Sequence, residues 1–109
     1  MNWIAGIMVD TFFKPKPCKS KALRDFARGQ ECTLRLPGCN RDQETTVLCH
    51  MRMRGFNGVG QKPLDFFGYH GCSECHRLEA EAGYDDLLRA MMETQTRLYN
   101  AGLLVIEKT

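Results

Sequence analysis

The chain has 109 residues, 43% of them hydrophobic, and a formal net charge of +2. That length supports one compact domain with a modest core and excludes two. The apolar run that opens the chain ends at Asp10 with no basic residues ahead of it, which excludes a membrane-spanning helix there and argues against a signal peptide.

The expected compartment is therefore the cytoplasm, where thiols stay reduced. Three disulfides among the six cysteines would need an exported protein, so metal ligation is the reading that fits. The small net charge hides an asymmetry. Residues 1–78 carry 12 Lys/Arg against 7 Asp/Glu, and residues 79–109 carry 3 against 6. The basic excess is a footprint for phosphate groups or else a solvated face without a partner.

Residues 1–19 read as an N-terminal arm. Met1 to Phe13 is apolar without a clean period, and Lys14-Pro15-Lys16-Pro17 forces an extended linker. Trp3, Phe12 and Phe13 are placed to pack on the core or on a second subunit, and Cys18 stands outside any ligand spacing as a free thiol. A single domain then runs over 20–109.

Ser20 caps a short helix to Arg28, with Leu23 and Phe26 inward and Gly29 as its stop. Lys21, Arg24 and Arg28 then face solvent or a polyanion. Cys32 and Cys39 form a knuckle in which Pro37-Gly38 supplies the turn. Its six-residue spacer is longer than the usual two to four, but Cys72-x2-Cys75 completes four sulfur donors suited to a structural Zn²⁺.

Thr45 to Met53 alternates as a strand, with Val47, Cys49, Met51 and Met53 on one face and Leu48, His50 and Arg52 on the other. Arg54 to Pro63 is a glycine-rich loop. Leu64 to His70 reads as a second strand, and Ser73 to Ala82 as a helix carrying His76 near its start. The core, at about 45–82, is thus β-β-α. Gly83 breaks that helix, and another runs from Asp85 to about Asn100 with Tyr84, Leu87, Leu88, Met91, Leu98 and Tyr99 as its buried stripe, interrupted by Thr94 and Gln95. After Gly102, Leu103-Leu104-Val105-Ile106 reads as a short edge strand. The fold class is α+β: a small zinc-stapled domain with a preceding short helix and a C-terminal helix.

Cys32 and Cys39, His50 on a strand, and Cys72-x2-Cys75-His76 opening a helix resemble the HNH endonucleases of the His-Me finger (ββα-metal) class. The closer resemblance is to the small phage and prophage nucleases of the YbcO type, related to a RecA-dependent phage recombination endonuclease. It runs from about Lys21 through Glu79, and includes Ala27-Arg28-Gly29-Gln30-Glu31-Cys32, Glu44-Thr45-Thr46-Val47-Leu48 and Lys62-Pro63-Leu64-Asp65.

The resemblance implies DNA hydrolysis leaving 5′-phosphate and 3′-hydroxyl ends. His50 matches the first His of the motif and would be the general base, a task suited to an imidazole near neutral pH. His76 matches the last and would hold one catalytic divalent cation, Mg²⁺ or Mn²⁺, with Zn²⁺ or Ni²⁺ as alternatives. The chain departs from the pattern in three places. Cys49 stands where the motif commonly has a metal-binding Asp or His, which makes it a candidate ligand of the catalytic ion, although alternation turns it toward the apolar row and favours a buried thiol. The middle Asn is replaced by Asp65, with Asn57 behind it. No second His follows His76, although Glu79 shares its helical face and offers an oxygen ligand. His70 is read as a loop residue, the alternatives being a zinc ligand or a ligand of the catalytic ion.

Arg52, Arg54, Lys62, Lys21, Arg24 and Arg28 are the expected nucleic-acid-binding residues. The partners implied are DNA and host or phage recombination proteins, with no membrane; the sequence leaves the subunit count open. Two rival readings remain at this level. A zinc-stapled nucleic-acid-binding module without hydrolytic activity explains the cysteines but leaves His50 without a role. A thiol redox protein using Cys72-Ser73-Glu74-Cys75 needs a thioredoxin-like βαβ context that this sequence lacks.

Overall fold

The computed structural model describes residues 18–51 and 64–107. The arm residues 1–17 and the loop with Arg52, Arg54, Asn57 and Lys62 lie outside the described residues, as does Met53. The elements follow the order α1 (Lys21–Ala27), β1 (Val47–His50), β2 (Gly68–Gly71), α2 (Ser73–Arg77) and α3 (Tyr84–Asn100), with 3₁₀ turns at Gln43–Thr45 and Glu79–Glu81. This is a small α+β domain with a two-stranded antiparallel sheet. Among the described residues no helix is long and apolar enough to cross a membrane.

Local chemistry accounts for several boundaries. The Ser20 hydroxyl accepts the Leu23 N–H and caps α1, which ends at Arg28. The knuckle turn closes when Cys39 N–H donates to Leu36 O at 2.9 Å, with Gly38 at φ 101°. Proline then glycine at the two central positions is the composition a type II turn requires. The C-terminus of α3 is a Schellman motif: Leu103 N–H donates to Leu98 O, Gly102 N–H donates to Tyr99 O, and Gly102 takes φ 76°.

The hairpin pairs Val47 with Gly71, Leu48 with His70, Cys49 with Tyr69 and His50 with Gly68. Alternation turns Cys49 fully into the core and leaves His50 partly exposed. α3 lies against β2. Thr94 Oγ1 accepts the His70 N–H at 3.0 Å, and Thr33 donates both its N–H and its hydroxyl to His70 O, at 2.7 and 2.8 Å. The core gathers Cys32, Leu34, Cys49, Tyr69, Cys72, Cys75 and Ala90.

Five expectations need correction. The second strand is Gly68–Gly71, because Leu64 to Phe67 closes into a turn through Phe67 N–H and Leu64 O. The helix expected to reach Ala82 stops at Arg77 and resumes as a 3₁₀ turn, with Leu78 at ψ 9° and its side chain lying 3.1 Å from the point a Cβ on Gly38 would occupy. The buried stripe of α3 is Ala90, Thr94 and Leu98, while Tyr84, Leu88 and Tyr99 are exposed. Leu103 to Ile106 forms no strand; Val105 and Ile106 project outward. His70 is a fully buried strand residue, not a loop residue, whose Nδ1 accepts from Arg97 at 3.1 Å and whose ring lies 5.8 Å from that of Phe26. Burial, and then the Arg97 charge, lower its pKa to about 4, so the ring is neutral.

Candidate metal and nuclease site

The four expected cysteines converge. The sulfurs of Cys32, Cys39, Cys72 and Cys75 all lie within 4.8 Å of one another, and none is in a disulfide. Cys39 and Cys72 Sγ are 3.7 Å apart; a tetrahedral zinc with bonds of about 2.3 Å separates its sulfurs by about 3.8 Å. The backbone supports sulfur anions here. Leu36 N–H donates to Cys75 Sγ and Cys75 N–H to Cys72 Sγ, each at 3.4 Å.

Burial raises the Cys75 and Cys39 thiols above their usual range. Burial acts upward on Cys72 too, but N–H donors from Cys75 and Asn40, with the adjoining thiols, bring it down to about 7. Four thiolates this close repel unless a cation neutralises them, so donor set, spacing and charge all fit one structural metal ion such as zinc. Two long-range ties hold the knuckle to α3. Arg89 donates to Thr33 O and Leu34 O at 2.7 and 3.0 Å, and Arg35 is bidentate to Glu93.

A second cluster lies at the end of β1. His50 Nε2 is 2.7 Å from Asp65 Oδ1, with side chains 27% and 5% exposed. Burial acts to raise the Asp65 pKa, but the hydrogen bond from His50, the Ser20 N–H on Oδ2 and the charges of His50 and Arg24 outweigh it and hold the carboxyl below the usual range. An ionised carboxylate only accepts. His50 Nε2 is therefore the donor in this contact, which leaves Nδ1 as the ring nitrogen able to accept a proton. Arg24 stands beside this pair, its Nε 3.7 Å from Asp65 Oδ2 and 3.2 Å from Ser20 O.

The other expected site residues are placed as follows. His76 is exposed on α2, one residue beyond Cys75 of the sulfur cluster. Glu79 Oε1 accepts from the Tyr69 hydroxyl at 2.5 Å. Cys49 is buried against Val47 O and Gly71 O, and burial pushes its thiol up to about 12. Lys21 pairs with Asp25 at 2.6 Å, and Arg28 is 3.9 Å from the same carboxylate. Among the described residues, the four cysteines are the only group of three or more His, Cys, Asp or Glu side chains converging as metal ligands. Sequence reasoning missed the Ser20 N–H on Asp65 and the Tyr69 hydroxyl on Glu79. The first had a readable precursor in the Ser20 cap; the second had none.

A family model described as "Putative nuclease YbcO" matches residues 21–102. "Putative nuclease YbcO" of Escherichia coli (strain K12) is 51% identical over 55 residues, which are 50% of this chain and 57% of that protein. "Putative nuclease ybcO" of Enterobacteria phage 82 matches with the same figures. The match thus spans little more than half the length of these relatives. A solved structure described as "Structure of a putative bacteriophage protein from Escherichia coli str. K-12 substr. MG1655" superposes with a TM-score of 0.59 at 32% identity, covering 74% of this chain and 100% of that one.

Proposed function

The chain belongs to the YbcO family, whose named relatives in Escherichia coli and Enterobacteria phage 82 carry the description "putative nuclease", and on that premise we propose that it is a DNA endonuclease of the HNH, or His-Me finger, type. The observation that carries the reading is the His50–Asp65 pair at the end of β1. The same hairpin leads through Cys72 and Cys75 into the helix that bears His76. The order β-β-α, stapled by four thiolates, is the frame that such a site needs.

In this reading Asp65 fixes the ring of His50, so that Nδ1 takes a proton from the attacking water and the carboxylate stabilises the imidazolium that forms. Arg24 offers its free guanidinium nitrogens to a phosphate oxygen of the substrate. Arg52, Arg54 and Lys62 extend the phosphate contacts, and Lys21 and Arg28 serve as weaker ones because Asp25 shares their charge. A catalytic divalent cation, once bound, would neutralise charge on the phosphoryl oxygens and on the leaving 3′ oxygen. His76, exposed beside the structural site, would hold it, with Glu79 offering the carboxylate oxygen that Tyr69 does not take. One or two protein ligands with the rest from substrate is the usual arrangement for Mg²⁺.

Purified protein is expected to nick supercoiled plasmid when Mg²⁺ or Mn²⁺ is added, even with the cysteine site full. His50→Ala should abolish nicking and leave bound zinc unchanged, with the melting temperature lowered by no more than the roughly 10 °C expected for the loss of its hydrogen bond to Asp65. Undiminished cleavage by that variant removes His50 from the mechanism. Binding that weakens with salt but never leads to cleavage under any divalent ion identifies a non-catalytic binding module instead.

A further inference from the structure

α3 is apolar on two faces, and among the described residues nothing covers one of them. At 3.6 residues per turn, Leu87, Ala90, Met91, Thr94 and Leu98 span an arc of about 100°; Ala90, Thr94 and Leu98 on it are buried. Tyr84, Leu88, Met92 and Tyr99 fill the adjoining arc of about 80°, yet they remain between 51% and 73% exposed. A surface helix packed on one side needs a stripe only about 100° wide. Beyond Gly102, Leu103, Val105 and Ile106 are exposed as well. Among the described residues, Val47 is the only exposed large hydrophobic side chain outside α3 and its tail.

We propose that this face is the contact between two copies of the chain, formed by antiparallel pairing of α3 with its counterpart. The stripe is its own complement when reversed. A two-fold axis near Met92 sets Tyr84 against the partner subunit's Tyr99 at both ends, with Leu88 and Met92 at the middle, so that the phenol hydroxyls reach solvent at the rim. The polar side chain within the stripe, Gln95, is turned inward and donates to Phe66 O at 2.7 Å. Covering the face therefore desolvates little that is polar. The charged residues Arg89 and Glu93 lie outside the stripe and pair with each other at 3.1 Å.

The exposed area also suits this occupant. The stripe presents on the order of 500 Å² from the exposures of its four side chains, so two copies pairing through it bury on the order of 1,000 Å², about what a specific interface needs.

The test is the mass of the full chain by analytical ultracentrifugation, from micromolar to near-millimolar concentration. The wild type is expected to be a dimer that dissociates on dilution. The double variant Leu88→Glu/Met92→Glu, checked by zinc content and circular dichroism, should raise the dissociation constant by about 100-fold or more, because like charges meet across the axis. Val47→Glu should leave it unchanged. Leu88→Ala and Tyr99→Ala provide milder forms should the double variant not fold, each expected to weaken the dimer by about tenfold. A wild type that stays monomeric throughout, whether the stripe is bare or covered by another part of its own chain, overturns the proposal. A dimer indifferent to the stripe substitutions overturns it equally. Neither result depends on whether the protein cuts DNA.

Discussion

Asp65→Asn keeps the shape of a side chain that is 5% exposed and removes its charge. The native carboxylate accepts from His50 at 2.7 Å and from the Ser20 N–H at 2.5 Å, with Arg24 at 3.7 Å. An amide has one accepting oxygen, so the variant turns an NH₂ group toward one of two donors. Hydrogen bonds with a charged member contribute about 1.5–3 kcal/mol each, and a net loss of about 2 kcal/mol follows from breaking one and weakening the other. In a domain of this size that lowers the melting temperature by roughly 10 °C. If Asp65 sets the His50 tautomer, nicking of supercoiled plasmid should fall by about 10²–10³-fold. The acid limb of stability changes too. Asp65 titrates lower in the folded protein than its unfolded value of about 3.9. Its stabilisation is therefore complete above that value and lost as pH falls through the folded one, so wild type and variant should converge in acid. Thermal melts from neutral to acid pH, with plasmid nicking at neutral pH, measure both effects. A variant that nicks at the wild-type rate with an unchanged melting curve refutes the assignment of Asp65 as the group that positions His50.

Further outcomes follow from the rest of the structure. Cys75→Ser, or a strong chelator, should release close to one zinc per chain and unfold the domain at 37 °C, since structural zinc binding at about 10–16 kcal/mol matches or exceeds the stability of a small domain; metal analysis with circular dichroism reads this. Gly38→Ala places a Cβ at φ 101° and 3.1 Å from Leu78 Cδ1, and should cost about 1–3 kcal/mol in chemical denaturation while lowering zinc affinity. Thr94→Val retains volume but strands the His70 N–H, and should cost about 1–3 kcal/mol by the same measurement. Arg24→Ala should weaken binding to uncleavable duplex and reduce the slope of log K against log salt by about 0.9, as expected for one lost phosphate contact.

What could be read in the sequence was carried by short-range chemistry. Ser20 capping α1, the Pro37-Gly38 turn, the Gly102 stop and the two cysteine pairs are each set within about seven residues, and each folds as its composition dictates. Alternation along β1 was equally local: it turned Cys49 inward and left His50 toward solvent. Tertiary structure decided the features that depend on a partner far along the chain. Ser20 is 45 residues from Asp65, and their bond helps hold Leu64 to Phe67 as a turn rather than a strand. Thr94 looked like a break in an apolar stripe, but its hydroxyl meets the His70 N–H and so belongs at the centre of the buried face. Leu103 to Ile106 has the composition of a strand but, among the described residues, pairs with no other strand. A sequence records each segment's preference directly, but a strand, a buried polar pair or a covered face exists only where a second segment arrives to satisfy its donors and exclude water.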